Sequence, residues 1–380
     1  MKKLKLALVF ISCFLVRYWM ESGNLLSEGT RVRVTIPTID FPEYTETQTV
    51  VKRGRWEVRV KGYTEIIPGE VVEVEGIWDG KRIIGDTVTQ CHEEQCSEVG
   101  LIDKVLIGVS YVRRWAVAKL QTQLPEPMAS LAAGILLGIK ARMPRDFYEA
   151  LVMTGTLHIV AASGFNVMIV ATLLINMFGK IWKRSVAIAM GVGGIIFYVL
   201  IAGGSASVVR AGIMGSLTLI AYYWGRPTEA KWLLWVTAFV MVMVDPMMLT
   251  DVGFQLSVAA TGGLLYFEPV LDHKSSELLK SSELKKQTCL PARQGYEPCW
   301  GRRFAKEYLL PTLVATACTA PVIWWHFGRL SWIGVGVNLL ILPLIPLIML
   351  LSALALVVPG VGYLLYVPLW WVVGVIRMFG

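Results

Sequence analysis

LHIVAASGFNVMIVATLLINMF, residues 157–178, contains no Asp, Glu, Lys or Arg. A helix of about 20 mainly apolar residues is long enough to cross a bilayer, so this stretch reads as a membrane span. The same reading recurs outward from it, at 186–202, 208–224, 232–249, 252–270, 308–327, 331–358 and 361–378. Pro343 and Pro346 interrupt the 331–358 run, which is therefore one kinked helix or two half-helices. The run at 128–139 is short for a full span and reads as re-entrant or interfacial. A polytopic α-helical membrane protein of about 8–10 spans is expected. Composition agrees: the 380 residues are 55% hydrophobic and 17% charged, with a mean hydropathy of +0.56. A soluble domain carries about 25% charged residues, so a cytosolic two-domain enzyme, a disordered chain and a fibrous one are all excluded. Six cysteines are too few for a disulfide-dense scaffold. The four histidines are scattered, with no HxH, HExxH or paired CxxC spacing, so neither a metal centre nor a cofactor is expected.

Charge locates the soluble part. Residues 21–100 hold 9 Lys and Arg against 15 Asp and Glu, a net −6. The whole chain is +8, which leaves +14 elsewhere, largely at the N-terminus and in loops between apolar segments. That is the pattern of the positive-inside bias rather than of a global nucleic-acid surface. Lys2, Lys3 and Lys5 precede an apolar run with no small-residue cleavage pattern behind it. Residues 1–20 therefore read as an uncleaved anchor with its N-terminus in the cytoplasm. The acidic 21–100 domain is then extracytoplasmic. Carried onward, this topology puts Lys180, Lys183 and Arg184, the 225–231 turn and the 272–308 loop in the cytoplasm. That loop has 8 basic and 5 acidic residues.

Within 30–90, TRVRVTI, KRGRWEVRVKG and EVVEVEG alternate apolar with polar residues. Period-two alternation bounded by Gly and Pro means half-buried antiparallel strands, and the length suits a small OB-like barrel. Arg53, Arg55, Arg59 and Lys61 line the outer face of one strand, with Glu57 among them. Such a face binds single strands in some OB barrels; the alternative is a solvated strand face on a domain that is acidic as a whole. Cys91 and Cys96 flank HEEQ, and an oxidising compartment favours a disulfide between them; a metal site with His92 is the alternative. Residues 101–125 form an amphipathic stretch that reads as an interfacial helix. Residues 126–380 then form the polytopic domain.

Polar residues inside hydrocarbon need partners and usually face a bundle interior or a water-filled cavity. His158, Ser163 and Asn166 share one side of the 157–178 helix, and Ser163-Gly164 is a place where that helix can break. The open alternatives are a hydrated path and interhelical hydrogen bonding that only holds the bundle together. Arg210 is the basic residue well inside the middle segments, near the outer end of its helix and level with Asp245 and Asp251. It reads as one half of an ion pair with Asp251, as a cationic point attracting phosphate, or as both. Asp251, Gln255 and Ala259 recur at i, i+4 and i+8 before Gly262, a narrow stripe facing protein rather than lipid.

Five strings in order resemble the ComEC family of competence proteins: LPEPMASLAAGILLGIKARMP, TGTLHIVAASGFNVMIV, SASVVRAGIMGSLTLIAYYWGR, DPMMLTDVGFQLSVAATGGLLYF and APVIWWHFGRLSWIGVGVNLLILPLIPLIML. They cover most of residues 100–358, and the anchor with its β-domain matches the family layout. The resemblance implies a channel in the cytoplasmic membrane that passes single-stranded DNA during natural transformation. Its partners would be single-stranded DNA, membrane lipid, a DNA receptor, a separate nuclease and a cytoplasmic DNA translocase. The expected channel-lining residues are His158, Ser163, Asn166, Arg210, Asp251, Gln255 and Asn338. Where many members read SGLHV, this chain has SGFNV, so Asn166 cannot titrate near neutral pH. Many members also carry a C-terminal metallo-β-lactamase-like domain. No such cluster stands in these residues, so no enzymatic activity is expected and another protein would degrade the second strand, unless the gene is truncated. A small-solute transporter and a non-conducting scaffold are the alternative functions.

Overall fold

The computed structural model describes residues 29–38, 42–44, 48–53, 56–61, 66–79, 82–91, 101–139, 143–160, 164–178, 183–225, 229–267, 310–328, 333–358 and 360–380. The expected anchor, the 272–308 loop, Arg55, Ser163 and Cys96 lie outside the described residues, and with Cys96 the expected disulfide.

The alternating segments form six strands: β1 (Arg31–Pro37), β2 (Glu43–Tyr44), β3 (Gln48–Arg53), β4 (Trp56–Lys61), β5 (Val71–Trp78) and β6 (Ile83–Cys91). Their order across one sheet is β1-β5-β6-β4-β3-β2. All neighbours are antiparallel except β4 and β6, which run parallel with Val58 opposite Ile83. The expected antiparallel sheet is thus a mixed one. The reason is topological: β6 returns from its hairpin with β5 into the place beside β4, and so shares the direction of β4. Val51, Val58, Val60, Ile66, Val72, Val74, Trp78 and Ile83 make a single core, joined by Val32 and Val34 of β1. The residues between them point outward, where Arg33 Nε donates to Glu75 Oε1 at 2.6 Å and pairs with Glu73 Oε1 at 3.2 Å. The turn before β5 seats this domain on the helices. Gly69 has φ +99°, and a Cβ there would lie 2.7 Å from Ser110 Oγ.

Thirteen α-helices follow among the described residues. They are α1 (Leu101–Gln121), α2 (Met128–Leu137), α3 (Arg145–Met153), α4 (Leu157–Val160), α5 (Gly164–Phe178), α6 (Arg184–Ile201) and α7 (Ala206–Tyr223), then α8 (Ala230–Val244), α9 (Val252–Tyr266), α10 (Leu310–Phe327), α11 (Ile333–Ile341), α12 (Ile345–Val357) and α13 (Val361–Phe379). Four helical runs are long and apolar enough to cross a membrane: 184–201, 206–223, 336–357 and 361–379. The apolar helices at 128–137, 166–175, 230–244 and 252–266 are shorter. Pro343 sits in a 3₁₀ turn, 342–344, between α11 and α12, so the proline-bearing segment is two helical halves. The expected single helix over 157–178 is also divided, into α4 and α5. Gly164 opens α5 where a side chain would not fit, since a Cβ would stand 3.1 Å from Ala211 Cβ.

The largest core joins α1 to α6 with α11, α12 and α13. A second, smaller core joins α8 and α9 to Ala206, Val209 and Ile213 of α7. Helix α7 touches both, contributing Val208 to the first. One face of α1 is buried in the first core through Ala116, Val117 and Leu120, while Tyr111, Val112 and Trp115 on its other face are exposed.

Candidate functional site

Helix α2 is the organising element of the site. Ten residues at about 1.5 Å each make a rod about 15 Å long, half of a hydrocarbon core of about 30 Å. Every residue of it is buried. Its N-terminal end is reached by exposed Glu126, whose Oε2 accepts from Ser130 N at 3.2 Å. Its C-terminal end stops inside the protein. The last four carbonyls of a helix have no intrahelical donor, and in a dry interior each needs one from elsewhere. Gly138, at φ +71°, donates its N–H to Gly134 O at 2.8 Å, the usual left-handed cap. Asn166 Nδ2, from the first turn of α5, donates to Ile135 O at 2.8 Å. Tyr198 Oη, from α6, donates to Leu136 O at 3.2 Å. The end of α2 and the beginning of α5 thus meet inside the bundle, held by side chains of two neighbouring helices.

Arg210 stands beside this junction. It lies on α7 with 8% of its surface exposed. Its Nη1 donates to Thr261 Oγ1 of α9 and lies 4.0 Å from Met214 Sδ. Its Nη2 lies 3.3 Å from the point that a Cβ would occupy on Gly164. Its Nε is buried with no hydrogen-bond partner among the described residues. The expected ion pair with Asp251 does not form. Asp251 Oδ1 instead accepts from Phe254 N at 2.6 Å, capping α9. Asp245 Oδ1 accepts from Met247 N at 3.0 Å, capping the 3₁₀ turn at 246–250. An exposed or half-exposed carboxylate at a helix start gains more from backbone N–H groups and the helix dipole than from reaching a buried cation.

The other expected residues fall in three places. Asn166 is 1% exposed and committed to α2. Gln255 Nε2 donates to Leu249 O at 2.7 Å, and its Oε1 lies 3.0 Å from His326 Nε2 of α10, so it ties α9 to its neighbours. Asn338 is buried in α11, its Oδ1 without a partner among the described residues. The backbone of His158 lies in α4. In the β-domain, Arg59 Nε donates to Glu57 Oε1 at 2.6 Å, so the acidic residue within the basic strand occupies one of its cations. The backbones of Arg53 and Lys61 end β3 and β4. Tyr198, Thr261 and Gly164 belong to the junction and escape a reading of the sequence. The available signal was a hydroxyl in each of two otherwise apolar helices, and such hydroxyls recur throughout this chain.

The fold and the junction define a helical membrane protein built around a buried half-helix. The family model described as "Competence protein" matches residues 135–379. The chain belongs to the competence protein family. The "Competence protein ComA" of Neisseria gonorrhoeae is 26% identical over 164 residues, covering 40% of this chain and 23% of that relative. The "ComE operon protein 3" of Bacillus subtilis is 20% identical over 263 residues, covering 69% of this chain and 30% of that relative. The chain therefore spans less than a third of the length of either curated relative. No solved structure matches it.

Proposed function

We propose that this chain forms the path by which single-stranded DNA crosses the cytoplasmic membrane during natural transformation. The observation that carries the reading is the α2–α5 junction, where one helix ends and another begins inside the bundle beside a buried, incompletely paired arginine. Broken helices of this kind put backbone dipoles at a midplane site in transporters. A polyanion needs such groups, because its phosphates cannot shed water without replacement partners. Membership of the competence family supports the same substrate. The N-terminus is cytoplasmic, the β-domain extracytoplasmic, and the 8–10 expected spans include the shorter apolar helices, which tilt or pack as partial spans. A DNA receptor, a separate nuclease and a cytoplasmic translocase act with it, and the chain itself is not catalytic.

In this reading the sheet closes as an OB-like barrel. Flat, six strands at about 4.8 Å would separate the edges β1 and β2 by about 24 Å. The chain from Pro37 to Glu43 reaches at most about 21 Å, so the sheet must curl. Val32 of β1 and Val51 of β3, from opposite sides of the sheet, share one core, which supports the closure.

The test is uptake of fluorescent DNA in a deletion strain complemented with the chain. Complementation should convert surface-bound, nuclease-sensitive DNA into nuclease-protected DNA in the cytoplasm. Normal cytoplasmic entry in the deletion strain would refute the reading.

A further inference from the structure

We infer that Arg210 and the amino end of α5 together form a seat for a phosphodiester anion. This rests on the proposed function for the origin of the anion, though the seat itself follows from geometry alone.

Helix α5 is 15 residues long, and the N–H groups of its first turn point back along the axis with a partial positive charge. Its first residue is Gly164, which presents no side chain toward Arg210. The Arg210 guanidinium is held at one corner only, Nη1 on Thr261. Nε and Nη2 share one edge of the planar group, and that edge is the fork that carboxylates and phosphates accept bidentately. Here Nε is buried and unpartnered among the described residues, and Nη2 faces Gly164. The side chain is more than nine-tenths buried.

A buried guanidinium carries a large desolvation cost unless a counter-charge offsets it. Asp245 and Asp251, the acidic residues nearest in sequence to its level, are occupied as helix caps. The ion pairs formed among the described residues are all in the β-domain. The missing counter-charge is therefore supplied by a ligand. Two positive features converge on one small space without a side chain in it, so the ligand is an anion with at least two acceptor oxygens. A phosphodiester has them.

The approach lies along α7. Ser205, Gly204 and Gly203 at its amino end are exposed, and Ser205 stands five residues, about 7.5 Å of axis, before Arg210. Arg210 also lies at the seam between the two helical cores, bonded to α9 of one and facing α5 of the other. An anion entering from the α7 rim would reach the fork without crossing either core.

Two sources offer this chemistry: the backbone of a DNA strand and the headgroup of an anionic phospholipid. The experiment uses the full chain, purified into nanodiscs of phosphatidylcholine alone or with phosphatidylglycerol. Binding of a fluorescent oligo-dT is read by anisotropy across a salt series. In phosphatidylcholine, Arg210→Gln should weaken binding at least about tenfold. It should also reduce the magnitude of the slope of log K against log salt by about 0.7, the value for one phosphate on a single strand. Arg210→Lys, which keeps the charge and loses the fork, should fall between. Gly164→Ala, which places a methyl against Nη2, should weaken binding with the charge intact. Competition by phosphatidylglycerol in the unaltered protein, absent in Arg210→Gln, identifies the headgroup as a second occupant of the same seat. The inference is overturned if two of these variants elute and melt like the unaltered protein yet bind oligo-dT with its affinity and salt slope. Failed uptake in cells alongside Arg210-dependent binding in nanodiscs would remove the proposed function and leave the seat.

Discussion

Ile135 and Leu136 present their carbonyl oxygens to the interior at the end of α2, and Asn166 and Tyr198 supply the donors. Leaving a buried acceptor unsatisfied costs about 1–3 kcal/mol. Asn166→Leu should therefore lower the thermal stability of the purified chain by an amount in that range. Tyr198→Phe removes a longer bond and should cost about 1 kcal/mol. An Asn166→Leu protein with unaltered melting would show that water caps Ile135 and that this amide serves another purpose. Asp251 offers a second test at this scale. As a cap of α9 it should tolerate Asn, which caps helices as well as Asp, and lose about 1 kcal/mol on change to Ala. Equal losses in Asp251→Asn and Asp251→Ala would point to a role for its charge. Polarity at 166, 210 and 251 was legible in the sequence because polar side chains stand out in apolar helices. Their partners were not, since nothing local chooses between a backbone oxygen, a neighbouring helix and a pore.

Among the elements, the close approach of α2 and α4 decides whether the half-helix is seated. A Cβ on Gly134 would lie 2.5 Å from Val160 Cγ1 and 3.3 Å from Ile139 O. Both elements belong to the main core, where there is little room to yield. Gly134→Ala should destabilise by about 1–3 kcal/mol, read as a lower melting temperature and lower membrane abundance. Val160→Ala in the same chain should return part of the loss, because it removes the methyl that clashes. Failure of the pair to recover would place the strain at Ile139 O instead. Most element boundaries follow from local rules. Prolines at 125 and 127 precede α2, the left-handed Gly138 ends it, and alternating valines define β5. The break at 161–163 was signalled only by Ser163-Gly164, a weak signal in a run otherwise apolar enough to continue as one helix. The parallel β4–β6 pair carried no signal, because alternation reports which face a residue takes and not the direction of the neighbouring strand.

For the whole molecule, the distribution of charge predicts an orientation that labelling can check. In a background without native cysteines, Asp79→Cys in the β-domain should react with an impermeant reagent on intact cells. Glu229→Cys, at the exposed start of α8, should react only after lysis. Reversal of the two patterns would invert the topology. The sequence by itself determined the class of protein: runs of apolar residues select a membrane interior, period-two alternation selects a sheet, and the acidic stretch marks a separate domain. These are properties of local composition, and transfer between solvents acts on each segment independently. Only the tertiary structure decided which polar groups are already satisfied. Asn166 and Gln255 turned inward to hold backbone carbonyls, the two aspartates became caps, and Arg210 kept a free fork against Gly164. A hydrogen bond is settled by which donors and acceptors come within about 3 Å of one another, and that proximity arises only when distant segments pack.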